Sequence, residues 1–179
     1  MSAAIARSRR AWGWHRLADE WAARVVDQAE VKPGELVLDI GAGTGALTAH
    51  LVRAGARVIA VELHPGRATL LRQRFADVTV VRADATTLRL PARPFRVVAS
   101  PPYGVTTGLL SLLLAPGSRL VAADLVLQRA VVRRYASGSG PGAARRARCY
   151  RVTTGLALPR RAFQPPPRVD SAVLVIRRR

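Results

Sequence analysis

The ten residues Leu36-Val37-Leu38-Asp39-Ile40-Gly41-Ala42-Gly43-Thr44-Gly45 constrain the fold more than any other stretch of the chain. An apolar run of strand length passes directly into three glycines at every second position, followed by a segment with helical composition, 45–54. Glycine allows positive backbone dihedrals and lets another group approach the main chain closely. The chain therefore leaves a buried strand through a tight turn and enters a helix. That is the ligand-binding corner of an open α/β sheet.

The rest of the sequence repeats the alternation. Short apolar runs at 57–61, 78–81, 96–99 and 120–127 read as further buried strands, and 65–75 and 106–114 read as helices between them. The runs 152–158 and 172–176 read as final strands, separated by Pro165-Pro166-Pro167. Strand and helix in alternation predict a mostly parallel sheet with helices on both faces. Trp12, Trp14, Leu17, Trp21, Val25 and Val26 have helical spacing and predict a helix ahead of the first strand. Residues 1–11 read as a flexible basic arm, 12–179 as one domain, and the glycine- and serine-rich stretch 136–148 as a flexible basic loop. No apolar run reaches membrane-spanning length. Cys149 is the one cysteine, which leaves no internal disulfide and no cysteine-based metal site. The expectation is a cytoplasmic monomer that uses no metal.

The glycine spacing is G-x-G-x-G, whereas dinucleotide-binding enzymes carry G-x-G-x-x-G. Asp39, two residues ahead of Gly41, falls at the end of the first strand of this unit, where it suits a cationic amino-acid group and repels a pyrophosphate. Glu62 ends the second strand and is placed to accept hydrogen bonds from a ribose diol. Asp84 ends the third and is placed to accept from an adenine amine. Three acids at three successive strand ends, with Gly41, Gly43 and Gly45, match an adenosine with an amino-acid tail, which is S-adenosylmethionine. Leu63 and Ala85, adjacent to two of these acids, complete this candidate set.

After the fourth strand comes Ser100-Pro101-Pro102-Tyr103. An aromatic amine is a poor nucleophile because its lone pair is delocalised into the ring. Acceptors aimed at its N–H groups favour a pyramidal nitrogen with a localised pair. Prolines lack an N–H and stiffen the turn, leaving nearby carbonyls free to accept. The Ser100 hydroxyl and the Pro101 carbonyl are the candidate acceptors, and Tyr103 is the candidate platform for a base swung out of its stack.

On these motifs the chain resembles the Erm family of ribosomal RNA adenine methyltransferases, relatives of the small-subunit RNA adenine dimethylases. The resemblance extends through Leu125-Val126-Leu127-Gln128-Arg129, similar to the family's fifth-strand motif. It also covers the long stretch from Leu158 to Val173, similar to the family's C-terminal signature. It implies a Rossmann-like, seven-stranded sheet with an antiparallel last strand. The implied reaction is N6 methylation of an adenine in 23S rRNA at the macrolide–lincosamide–streptogramin site, with antibiotic resistance as its outcome. The resemblance makes Phe163 a second aromatic wall. It aligns Trp14-His15-Arg16-Leu17 with a Gln-Asn-Phe-Leu-like motif, putting His15 and Leu17 near the methionine end of the cofactor.

The charge supports a polyanionic partner. The net charge is +18, and residues 129–179 hold thirteen arginines against one acid, Asp170. Arginine pairs with phosphate bidentately and stacks on bases. The candidate RNA contacts are Arg7, Arg9 and Arg10 in the arm, Arg129, Arg133 and Arg134, Arg145, Arg146 and Arg148, and Arg160, Arg161 and Arg168. Two departures from the family bear on the chemistry. Serine stands at position 100 where the family usually has Asn, and its acceptor reaches less far. The family's C-terminal helical domain is expected to be missing, as in short mycobacterial-type members, so RNA capture before subunit assembly falls to other surfaces. The alternatives are a DNA adenine methyltransferase, and an inactive RNA-binding or ribosome-assembly protein.

Overall fold

The computed structural model describes residues 15–139 and 142–179, apart from the side chain of Arg145. The expected arm, with Arg7, Arg9 and Arg10, and the tryptophans Trp12 and Trp14 lie outside the described residues. In chain order the elements are β1 (Arg16–Leu17), α1 (Asp19–Ala29), β2 (Leu36–Ile40), α2 (Ala46–Arg53), β3 (Arg57–Val61), α3 (Pro65–Arg74) and β4 (Thr79–Val81). There follow β5 (Phe95–Ala99), α4 (Thr106–Leu113), β6 (Leu120–Gln128), α5 (Arg129–Ala136), α6 (Ala143–Cys149), β7 (Tyr150–Leu158), β8 (Phe163–Gln164) and β9 (Ser171–Arg178).

Seven strands form one sheet in the order β4-β3-β2-β5-β6-β9-β7. The pairs from β4 through to β6 are parallel. The last strand, β9, runs antiparallel to both β6 and β7, as expected. Alternation along the strands divides the apolar side chains between two cores. Leu36, Leu38 and Ile40 of β2 pack with Leu109, Leu110 and Leu113 of α4 and Val132 of α5. Val37 of the same strand packs with Val25 and Val26 of α1, Leu47 and Leu51 of α2 and Leu71 of α3. Helices thus cover both faces, and each buried Leu or Val contributes about 1.5–3 kcal/mol.

Local signals set the helix ends. His64 caps α3 by accepting the Arg67 N–H, and Pro65 occupies its first turn. Asp19 and Glu20 lie in the first turn of α1, where the helix dipole favours negative charge. Helix α1 begins later than the sequence spacing predicts. Leu17 belongs instead to β1, which pairs with β8 through Leu17 and Phe163. A two-residue strand carries no periodicity of its own, so only its partner, 146 positions away, reveals it.

Part of the stretch 136–148, expected as a flexible loop, is helical. Ala136 closes α5, and Ala143–Cys149 form α6. The Arg146 guanidinium stacks over the Tyr135 ring at 4.7 Å and donates to the Ser139 carbonyl. Composition favoured a loop, but burial of this arginine against an aromatic ring ties α6 to α5.

The antiparallel edge is pinned by a polar cluster. Asp124 of β6 is fully buried and takes two hydrogen bonds from Arg177 of β9, at 2.8 and 3.0 Å. Gln28 of α1 donates to Asp124 and accepts from the Leu156 N–H, where β7 shifts register.

Candidate active site

Chain order in the sheet reverses around β2, whose neighbours β3 and β5 lead in opposite directions. Crevices at such points hold ligands in open α/β sheets. Here a cavity of about 600 Å³ opens beyond the carboxyl ends of β2, β3, β4 and β5. Of the sequence-derived candidates, His15, Gly41, Glu62, Leu63, Asp84, Ala85, Ser100, Pro101, Tyr103 and Phe163 all line it. A smaller recess, sharing His15, Gly41 and Ser100 with the cavity, adds Leu17 and Asp39.

Asp39 belongs to that recess and not to the main cavity. Its side chain is 1% exposed. Oδ2 accepts the Thr48 hydroxyl at 2.6 Å, while Oδ1 is buried without a partner among the described residues. Burial pushes the carboxyl up to about 7; the Thr48 hydrogen bonds pull the other way, and the nearby Glu62 charge adds to the rise. A buried oxygen with no donor, beside a recess, fits a cationic group.

Glu62 is already engaged within the protein. Oε2 accepts the Gly43 N–H at 2.8 Å, and Oε1 accepts the His64 N–H at 2.8 Å and Arg67 Nη2 at 2.9 Å. A carboxylate offers about four lone-pair sites, so capacity remains for a ribose hydroxyl. The bond to Gly43 ties the glycine turn to the end of β3. Gly43 therefore acts on the cavity through Glu62 and does not line it. Asp84 Oδ1 accepts both the amide and the hydroxyl of Thr86 at 2.7 Å, which holds its carboxyl below the usual range. It stays ionised, as an acceptor requires.

The glycines divide by role. A Cβ on Gly41 would meet Pro102 Cδ at 3.1 Å and Pro101 Cα at 3.2 Å, so the bare backbone lets the two motifs close on one another. Gly45 was expected to touch the cofactor, but it lines neither the cavity nor the smaller recess. Its φ is +90°, and an added Cβ would stand 2.5 Å from the Phe75 ring. Its constraint is packing.

Neither the Ser100 hydroxyl nor the Pro101 carbonyl has a hydrogen-bond partner among the described residues. Both remain free to accept. Tyr103 starts a short 3-10 turn and puts its hydroxyl 2.6 Å from Ser171 Oγ. The His15 ring stands 6.1 Å from the Tyr103 ring at an interplanar angle of 29°, and His15 Nδ1 meets the Pro165 carbonyl at 2.8 Å. Phe163 is only 2% exposed and belongs to the core beside Leu17. It also lines the cavity, so the second aromatic wall expected of it is a residue held mostly within the core.

Among the arginines, Arg129, Arg133, Arg134, Arg148, Arg160, Arg161 and Arg168 are exposed, with Arg129 4.0 Å from Asp170. Arg146, at 5% exposed, is withdrawn from the solvent-facing set by its stacking on Tyr135. The side chain of Arg145 lies outside the described residues.

Sequence reading missed Thr48, Arg67 and Ser171. Thr48 and Arg67 lie in helices five to nine positions beyond the acids they touch, Asp39 and Glu62, and Ser171, though inside the C-terminal signature, reaches Tyr103 from 68 positions away; nothing local marks these partnerships.

The fold and this site define a Rossmann-like S-adenosylmethionine-dependent methyltransferase. The chain belongs to the ribosomal RNA adenine dimethylase family, whose model matches residues 6–179. It is 36% identical over 188 residues to the ribosomal RNA small subunit methyltransferase A of Thermosynechococcus vestitus, covering 96% of this chain and 70% of that protein. It is 38% identical over 161 residues to the mycinamicin-resistance protein MyrB of Micromonospora griseorubida, covering 88% of this chain but only 50% of that protein. The crystal structure of the 23S rRNA methyltransferase ErmE superposes with a TM-score of 0.83 at 31% identity, over 91% of this chain and 69% of that one. Among the described residues no helix is long and apolar enough to cross a membrane.

Proposed function

We propose that the protein methylates the N6 amine of an adenine in 23S rRNA at the macrolide–lincosamide–streptogramin site, and so confers resistance to those antibiotics. It acts as a monomer in the cytoplasm, where the rRNA is, and before the subunit is fully assembled. The observation that carries the reading is a single cavity. It joins Gly41, Glu62 and Asp84, which fit an adenosine, to Ser100, Pro101 and Tyr103, which fit an aromatic amine. The likeness to ErmE and to MyrB supports the large subunit and resistance. S-adenosylmethionine supplies an electrophilic sulfonium methyl when bound.

The residues divide the work. Asp39 Oδ1 holds the ammonium of the cofactor, Glu62 the ribose, and Asp84 the adenine amine. Leu63 and Ala85 flank the ring, and Leu17 and His15 close the methionine end. The Ser100 hydroxyl and Pro101 carbonyl accept from the target N–H groups and localise the nitrogen lone pair. Tyr103 stacks on the extruded base, with Phe163 as the second aromatic wall. Positioning of this kind supplies much of the rate when the electrophile is already reactive. The methylated nitrogen is acidic and loses its proton to solvent late, so no strong general base is needed. Arg129, Arg133, Arg134, Arg160, Arg161 and Arg168, all exposed, meet RNA phosphates.

The likeness to the small subunit methyltransferase A favours one second reading, an adenine of the small-subunit rRNA. Radiolabelled S-adenosylmethionine with separate 23S rRNA, small-subunit rRNA and DNA distinguishes the cases. Label on 23S rRNA, mapped to the antibiotic site, is expected. Label on small-subunit rRNA alone or on DNA alone overturns the proposal, and label on nothing points to an inactive binder.

A further inference from the structure

The sheet has two poles. Strand β9 starts at Ser171 beside the methyl-transfer cavity and ends at Arg178, roughly 24 Å away at about 3.4 Å per residue. At that far pole β5, β6 and β7 begin, and the residue just before or near each start is an arginine: Arg93, Arg119 and Arg148. Arg178 ends β9, which lies between β6 and β7, and Arg179 follows it. All five are exposed. Arg178 is held entirely by neutral acceptors, the carbonyls of Leu120 (2.8 Å) and Ser118 (2.6 Å) and the Tyr150 hydroxyl (3.0 Å), so its charge is uncompensated.

Counter-charge is sparse along β5, β6 and β7, and the neighbouring acid Glu35, which lines a recess with Arg93, is paired with Arg96 at 3.0 Å. From Ala85 to Ala123 there is no Asp or Glu, and from Leu125 to Val169 there is none. Asp124, between these stretches, is buried and paired with Arg177. A recess of about 80 Å³, lined in part by Ser118, Arg146, Tyr150 and Arg178, lies within this surface. Neighbouring strands stand about 4.8 Å apart, so the row across β5, β6, β9 and β7 spans about 14 Å. That is enough for several consecutive phosphates of one nucleic-acid strand.

We propose that this far pole is a second RNA-docking surface, which grips the phosphate backbone of a different helix of the folded rRNA from the one whose adenine enters the cavity. The proposal rests on the RNA reading above and deepens it. The arginines of that reading position the target, and arginines at the far pole add affinity for a structured substrate. A short strand that fills the cavity does not reach them.

The test is a triple variant, Arg93→Ser, Arg119→Ser and Arg179→Ser, in the full chain. None of the three side chains makes a hydrogen bond or ion pair among the described residues. Thermal unfolding and S-adenosylhomocysteine affinity are expected to match the wild type, which verifies folding. Affinity for a long structured rRNA fragment is expected to fall about ten- to a hundredfold near 0.1 M salt, and the log–log salt slope to lose about 2 to 3. Affinity for a short single strand carrying the target adenine is expected to hold. An unchanged salt slope on the long fragment overturns the proposal, as does an equal loss on both RNAs. The measurement reads binding, so it remains decisive even if no RNA is methylated, a result that would sink the proposed function alone.

Discussion

The Tyr103 hydroxyl lies 2.6 Å from Ser171 Oγ, so the first residue of the reversed last strand holds the aromatic platform of the cavity. Ser171 is fully buried, and Tyr103 is half-buried with its phenol pushed above the usual range by burial. The hydroxyl therefore stays neutral and available for this bond. Strand β9 also carries Arg177, which compensates Asp124, so one strand supports both the sheet edge and the site.

Removing that bond costs orientation and leaves the cofactor contacts alone. Ser171→Ala is expected to lower kcat up to about tenfold, the equivalent of one net hydrogen bond. S-adenosylhomocysteine affinity is expected to hold. Tyr103→Ala is expected to abolish transfer with cofactor binding retained. Steady-state kinetics with calorimetric binding check both, and full-rate transfer by Tyr103→Ala would show that the ring is not the platform.

Asp39 makes cofactor binding and stability depend on pH in opposite senses. Its carboxyl, at about 7 in the fold against an ordinary 3.8, takes up a proton on folding. The stability linked to that proton is complete below about 4 and is lost as pH rises towards 7. The cationic ammonium needs the ionised form, so cofactor affinity is expected to rise with pH up to about 7 and then level off. Calorimetry at pH 6 in two buffers of different ionisation enthalpy should show proton release on binding. Asp39→Asn is expected to flatten the stability slope between pH 4 and 7, weaken cofactor binding and release no proton; wild-type binding without proton release at pH 6 contradicts the assignment.

Ser100 sets how far the hydroxyl acceptor reaches into the cavity. Ser100→Asn lengthens it by an amide. The expected result is faster transfer and a higher ratio of dimethylated to monomethylated adenine, read by mass spectrometry of digested RNA. An unchanged ratio with an unchanged rate removes Ser100 from the acceptor pair.

Gly45 tests the division between lining and packing. Gly45→Ala forces a Cβ to 2.5 Å from the Phe75 ring at a φ of +90°. Strain and overpacking together are expected to cost about 2–4 kcal/mol in denaturant unfolding. The folded fraction should bind S-adenosylhomocysteine normally, and Phe75→Leu should restore part of the stability. Loss of cofactor affinity without loss of stability would fit a lining role instead.

The sequence by itself determined the strand–turn–helix unit, the alternation that builds a parallel sheet, the three acids at strand ends and the Ser100–Tyr103 turn. These signals are local, because apolar periodicity, glycine spacing and the residue ending a strand are all written within a dozen positions. Only the tertiary structure decided that Glu62 shares its carboxylate with Gly43 and Arg67, that Ser171 holds Tyr103, that Phe163 sits mostly in the core, and that Arg146 folds onto Tyr135. It alone also gathered Arg93, Arg119, Arg148 and Arg178 at one pole. Each of these joins residues from separate elements, and a contact between elements leaves no period in the chain from which it can be read.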